Sequence, residues 1–319
     1  MTLGEPGQGE RTAAGSHRGA FSAASIRWTM RLVGLALVVI LARLLLGNPI
    51  DLFALLTDLS DRLYLALNAL SGRSLLLDTL IALPLENALV KGGPVGACFF
   101  YAWAAGGSYE SKRRRRSILL LTLVAAFLTI VTTKTVGDNT FLPRPFVRSL
   151  PSWHLAEVEL EATKTLTYRA PLTGSMANRF EALKHGEVDD TDLVSFPSDH
   201  AAFFAVLSLG ILIASLPAGL IAALWTLVAI MATRVITGLH SPLDIALGLL
   251  IGAAILALVQ LIGRRFAGGI TVWAAQWTMR REAIAASLAF LVIFEAASAL
   301  EGIKALLQAA SELSAAAAA

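Results

Sequence analysis

Apolar residues in this chain fall in long unbroken runs rather than in the one-sided rhythm of a half-buried helix. Seven runs stand out: Ile26–Gly47, Ala88–Gly107, Ser117–Lys134, Ala201–Leu216, Ala218–Thr237, Pro242–Ile262 and Ala283–Leu300. Each is close to the roughly 20 residues needed to cross a bilayer. The seventh is the most polar, with Glu295 inside it and Glu301 directly after it. Asp51–Ser71 differs in kind: its amphipathic pattern suits a helix lying along the membrane interface. Residues 1–25 are rich in Gly, Ala, Ser and charge and are expected to be disordered. Their apolar run begins too late, and lacks the small-residue cleavage site, for a secretory signal.

Composition agrees with a membrane chain. Hydrophobic residues make up 56% and charged residues 15%, with mean hydropathy +0.67. A soluble domain carries about 25% charged residues. The expected fold is therefore all-α: a polytopic membrane helix bundle with a six-helix core over 26–265. A C-terminal extension, 266–319, supplies one extra span. The single cysteine, Cys98, lies within a span and excludes an intrachain disulfide.

Charge supplies the orientation. Arg27 and Arg31 open the first span, Lys112–Arg116 precede the third, Arg264 and Arg265 follow the sixth, and Arg280 and Arg281 precede the seventh. Alternating spans place all four clusters on one side, which the positive-inside rule makes cytoplasmic. The net charge of +3 and pI near 9.2 then mark topology, and no nucleic-acid partner is implied. The expected location is a bacterial inner membrane.

The opposite side carries the chemistry. Lys134 ends the third span and Arg144 follows between two prolines. Pro197-Ser198-Asp199-His200 opens the fourth, Arg234 lies near the end of the fifth, and His240 to Asp244 opens the sixth. Ionisable groups so close to hydrocarbon are costly and mark function. Each also has a structural reading. Ser198 is an N-cap residue type, and Ser241-Pro242-x-Asp244 reads as a capping box with proline at the first helical position. Either arginine suits a helix end or a loop. What favours a site is that four segments distant in sequence meet at one surface. A helix start there favours an anion, an imidazole can attack or protonate, and an aspartate four residues from His240 can orient its ring. His17, His154 and His185 are scattered and expected to be solvated, and no metal-ligand spacing is present, so no cofactor is expected.

These residues resemble the three signatures of the type 2 phosphatidic acid phosphatase superfamily, which includes lipid phosphate and undecaprenyl-diphosphate phosphatases. The second signature, Pro-Ser-Gly-His, stands here as Pro197-Ser198-Asp199-His200; the aspartate resembles the bacterial polyprenyl-diphosphate branch. The third, Ser-Arg then His then Asp, stands as Thr233-Arg234, His240 and Asp244. The first, Lys, six residues, Arg-Pro, is irregular. Arg144-Pro145 is present, but nine residues separate it from Lys134, and an ungapped match would put Gly137 in the lysine place. Three residues is close to one helical turn, within reach of a lysine stem. The resemblance implies that His240 is a nucleophile forming a phosphohistidine, that His200 protonates the leaving oxygen, and that Asp244 orients His240. It implies that Lys134, Arg144, Arg234 and the chain around Ser198 and Asp199 hold the phosphoryl oxygens without a metal. The implied partners are membrane lipids and a lipid phosphate or polyprenyl diphosphate substrate. Glycerolipid or lipid A phosphates, phosphate transfer to an alcohol, and a catalytically inactive transporter or scaffold of the same fold are the alternatives.

The outward loop, 136–196, is longer than compact domains usually leave unstructured. From Phe146 to Ser195 it has five Lys/Arg against eight Asp/Glu, a net −3, so it does not attract phosphate as a whole. Weak alternation predicts a hairpin over Glu157–Tyr168, and Met176–His185 predicts a short helix.

Overall fold

The computed structural model describes residues 49–138, 140, 142–149, 152–155, 158–161 and 166–297. The expected disordered N-terminus and the expected first span, Ile26–Gly47, lie outside the described residues. The helices are α1 (Pro49–Asn68), α2 (Leu75–Glu86), α3 (Ala88–Ala104), α4 (Tyr109–Asp138), α5 (Ser175–Lys184), α6 (Asp199–Ala214), α7 (Leu216–Trp225), α8 (Thr233–Ile236), α9 (Pro242–Arg265), α10 (Gly268–Arg280) and α11 (Glu282–Ala297). A π-helical stretch, Thr226–Ala232, joins α7 to α8, so the three pieces form one rod.

Three of these rods are long and apolar enough to cross a membrane: Tyr109–Asp138, Leu216–Ile236 and Pro242–Arg265. Asp199–Ala214 and Glu282–Phe294 are shorter apolar helices. The molecule is an all-α membrane bundle, as its apolar runs require. Leu220, Leu224, Leu227, Val228, Leu258 and Leu261 remain exposed on the rods, where hydrocarbon is their natural solvent. The buried side is built from Phe99, Leu119, Phe204, Leu207, Ile211 and Leu256 on α3, α4, α6 and α9.

Small residues set how closely α9 and α6 approach. A Cβ on Gly248 would lie 2.5 Å from the Ser198 carbonyl oxygen, and one on Gly252 would lie 2.4 Å from that of Ala202. The α9 backbone is thus pressed onto the first turn of α6, the close contact that small residues four apart permit in membrane bundles. One consequence is that the Ser198 amide donates to the Asp244 carbonyl at 3.3 Å, bringing the second and third signatures side by side.

Several boundaries differ from the sequence expectation. The third span starts at Tyr109 rather than Ser117, because the basic run winds into helix, with Glu110 and Arg113 paired across i,i+3. Arg116 is more than a topology mark. It is 1% exposed, sits 5.1 Å from the Trp103 ring centroid, donates to the Thr278 carbonyl at 2.9 Å and pairs with Glu282. It clasps the C-terminal α10 and α11 to the bundle. The hairpin occupies β1 (Ser152–Leu155) and β2 (Val158–Glu161), paired antiparallel with Trp153 opposite Leu160. It lies earlier than expected because its first strand precedes the alternating segment. The expected short helix is present as α5. α2 and α10 were not anticipated.

The amphipathic segment is α1, and it lies polar side down. Leu55, Leu59 and Leu63 are exposed, whereas Ser60, Asp61, Tyr64 and Asn68 are buried. Ser60 accepts from the Leu243 amide at 3.1 Å, and Asn68 donates to the Ile236 carbonyl at 2.8 Å. α1 thus braces the turn between α8 and α9, which carries His240.

Candidate active site

The site is built on that turn. Gly238 takes φ +75, a left-handed conformation, and ends α8. The Leu239 and His240 amides then both return to the Arg234 carbonyl. A Cβ at Gly238 would meet Tyr168 at 2.8 Å, Phe146 at 3.1 Å and the Tyr64 hydroxyl at 3.2 Å. The turn is therefore held against α1 and the long loop, and His240 cannot swing freely.

His240 is 5% exposed. Its Nδ1 lies 2.8 Å from the Ser195 carbonyl. A carbonyl only accepts, so Nδ1 carries the proton and Nε2 is the unprotonated nitrogen. Burial holds the imidazole well below its usual protonation range, and the nearby Arg144 cation lowers it further. A neutral imidazole with an unprotonated Nε2 is a nucleophile.

Asp244 does not touch this ring through a hydrogen bond. Its Oδ2 accepts from the Ser195 hydroxyl at 2.6 Å and from the Ser241 amide at 2.7 Å. The Ser241 hydroxyl accepts in turn from the Asp244 amide, completing a capping box. The expected direct orientation of His240 by Asp244 is thus replaced by an indirect one. Asp244 fixes Ser195, and Ser195 fixes the ring. The reason is geometric: the capping box turns the carboxylate back on its own helix start, and the residue before Phe196-Pro197 fills the gap. The Ser195 amide also donates to the Leu142 carbonyl at 2.7 Å, so Ser195 anchors the outgoing end of the loop as well. Sequence reasoning missed Ser195; its only signal was its place two residues before the second signature.

The start of α6 departs from the expected anion cradle. Ser198, 0% exposed, caps the helix by accepting from the Ala201 amide at 3.4 Å. The His200 amide is taken by Asp199 Oδ1 at 2.7 Å, and the Ser198 amide by Asp244. Most first-turn donors are spent within the chain. Asp199 is likewise not a phosphate donor. Its Oδ1 accepts from His200 Nδ1 at 2.8 Å and its Oδ2 lies 3.6 Å from Lys134 Nζ. A carboxylate repels phosphate; here it fixes the His200 tautomer, leaving Nε2 for chemistry. Lys134 reaches the site edge from one turn before the regular lysine place. Gly137 occupies that place, where a Cβ would lie 3.4 Å from Val194.

The two guanidiniums are placed by neighbours that are not acids. Arg234 is 4% exposed and donates from Nη1 to the Ile230 carbonyl at 3.1 Å, inside the π-helical stretch. Such stretches are frequent at functional sites, and this one leads directly into α8. Arg144 donates from Nε to the Thr191 carbonyl at 2.8 Å, and its amide donates to the Asp192 carbonyl. Burial pulls its guanidinium down from the usual range, opposed by Asp192, Asp199 and Asp244; it remains a cation. The 190–193 turn behind it is held by Arg179, which pairs with Asp192. Neither Arg144 nor Arg234 forms an ion pair among the described residues. Both bear electrostatically on His240. Lys91 on α3, which sequence reasoning also missed, bears on His200.

Seven of the eight expected site residues thus converge on one end of the bundle around His240, or support those that do, and Lys134 stands at its edge. His185 is exposed at the end of α5, as expected of a solvated histidine.

An all-helical membrane bundle with two imidazoles and two unpaired guanidiniums at one end has the equipment of a phosphoryl-handling membrane protein. A family model described as PAP2 superfamily matches residues 117–267, a stretch that contains all eight of these residues. That match supports a member of the type 2 phosphatidic acid phosphatase superfamily. Members of that superfamily are generally phosphatases. No curated protein matches the chain, and no solved structure matches it.

Two expectations follow for turnover. Ser195→Ala should lower kcat by about tenfold with little change in KM, because a charge-assisted bond that positions the His240 ring is lost. Ser195→Thr should restore most of it. A Ser195→Ala variant with wild-type kcat would show that the Ser195 hydroxyl does not position the ring. Second, the acid limb of kcat/KM should fall below ~6.5, because burial and Arg144 both oppose protonation of His240. Arg144→Gln should move that limb to higher pH, since removing a cation makes the imidazole easier to protonate. A limb left unmoved would dissociate Arg144 from His240.

Proposed function

We propose that the protein is an integral-membrane phosphohydrolase that removes phosphate from a lipid phosphate or diphosphate, through a phosphohistidine on His240. The observation that carries this reading is a pair of guanidiniums, the half-buried Arg144 and the buried Arg234, with no acid paired to either among the described residues. Buried charge without a partner is costly, and an anionic substrate set against the neutral His240 imidazole supplies that partner.

The chemistry runs in two steps. His200 enters the first protonated, with Asp199 as its counter-ion. His240 Nε2 attacks phosphorus as the bond to the leaving lipid oxygen breaks, and His200 gives that oxygen its Nε2 proton. Water then attacks phosphorus as His200 takes its proton, the P–N bond breaks, and phosphate leaves with His240 neutral again. Arg144, Arg234 and Lys134 neutralise the charge on the equatorial oxygens, a role that metal ions fill in other phosphoryl-transfer sites. Asp199 holds His200, and Asp244 acts on His240 through Ser195.

The favoured substrate is undecaprenyl diphosphate or a related polyprenyl diphosphate, on the strength of the aspartate in Pro197-Ser198-Asp199-His200. The basic ends of the helices lie opposite the site, so the positive-inside rule puts the site at the outer face of a bacterial inner membrane. The outward leucines of α1 lie in the interface there, beside the turn that bears His240, where a lipid substrate arrives.

Purified protein in detergent is expected to release phosphate from a polyprenyl diphosphate faster than from phosphatidic acid. His240→Ala should lose several orders of magnitude of rate, as removal of a covalent nucleophile does. Faster release from phosphatidic acid would move the substrate to glycerolipids. Equal rates in wild type and His240→Ala would rule out the mechanism and favour a non-catalytic role.

A further inference from the structure

The opposite end of the bundle holds a second charged feature, unconnected with the site above. A cavity of about 650 Å³ opens between the first turns of α4, the last turn of α9 and the start of α10. Arg113 and Arg114 line it from α4 and Arg264 from α9, with Ser117 and Thr271 between them. Glu110 also lines it, but is paired with Arg113. Arg264 donates to Gln260 at 3.2 Å, and neither it nor Arg114 forms an ion pair among the described residues. The two lie near enough to repel each other electrostatically. Three guanidiniums against one carboxylate leave the cavity net positive.

The start of α10 adds to this. Ala267 supplies no side-chain cap, and the space beyond the Gly268 and Gly269 Cα atoms is open. Uncapped amides and the positive end of a 13-residue helix therefore face the same space. Part of the lining is apolar: Ile118 and Leu121 from α4 and Val272 from α10. A basic mouth beside an apolar wall at a span terminus is how a membrane interface is met. A soluble anion has no use for that wall, whereas a lipid satisfies both parts at once, with its phosphate among the arginines and its chains along the apolar wall.

We propose that this cavity binds the phosphate headgroup of an anionic phospholipid, and so ties α10 to the ends of α4 and α9. The site does not depend on the proposed enzymatic reaction.

The test is native mass spectrometry of the full-length protein in detergent, mixed with equal amounts of phosphatidylglycerol and phosphatidylcholine. Wild type should retain phosphatidylglycerol preferentially. The double variant Arg114→Gln/Arg264→Gln should retain it with about tenfold lower apparent affinity or less. Both side chains are exposed, so removing their charge should not unfold the protein. Gly268→Glu provides an independent variant. It suits the helix dipole, introduces a carboxylate where the headgroup would sit, and should weaken binding equally. Millimolar inorganic phosphate should displace no lipid. Equal retention of the two lipids overturns the proposal, as does undiminished phosphatidylglycerol binding by both variants. Displacement of the lipid by inorganic phosphate would assign the cavity to a soluble anion instead.

Discussion

The hydrogen bond from His240 Nδ1 to the Ser195 carbonyl joins two parts of the chain that otherwise have no reason to meet. One is the tight turn between α8 and α9. The other is the returning end of a long outward loop. Ser195 fixes both ends of that loop: its amide bonds Leu142 near the start, and its hydroxyl bonds Asp244 on α9. The His240 tautomer and the seating of the loop's end against α9 both follow from this knot. The loop acts as scaffold: Arg179 holds Asp189 and Asp192, and Arg148 ties the loop to Asp61 on α1.

The cost of placing charge at the edge of hydrocarbon shapes the rest. An ion pair within the protein would satisfy Arg144 and Arg234 and would leave nothing for phosphate. Instead the chain offers them carbonyl oxygens, from Thr191 and from Ile230 in the π-helical stretch. A carbonyl orients a guanidinium without neutralising it. The acids that are close, Asp199 and Asp244, are held by His200, Ser195 and Ser241. At the other end Arg116 follows the opposite rule. It is fully committed to Trp103, Thr278 and Glu282 and serves only to hold the C-terminal helices.

Long apolar runs made the helices from Ser117 onward legible, three of them long enough to cross a membrane, because hydrocarbon leaves little choice but helix. The small charged motifs made the site legible because few residue types were available there. What escaped was decided by backbone geometry. The His240–Asp244 spacing fits a direct contact, yet the same residues form a capping box, and the capping box won. Ser198 and Asp199 marked a helix start, but the start satisfied its own amides. Lys134 was out of register by nearly one turn, and a flexible stem carries it to the site edge. Ser195, Lys91 and the Asp192–Arg179 clamp had no pattern of their own, since contacts between distant segments leave no periodic trace. Arg116 was hidden among four similar neighbours that do remain at the surface or half-buried.

The claim on which the functional reading rests is that His240 becomes covalently phosphorylated. It is tested most directly by mixing the purified protein with a ³²P-labelled lipid diphosphate, quenching in alkali during turnover and following label on the protein. A base-stable, acid-labile phosphoprotein should form in the wild type, accumulate in His200→Ala with a substrate whose leaving group needs no protonation, and be absent from His240→Ala. Label that persists in His240→Ala, or active wild type that never carries label, would contradict the account.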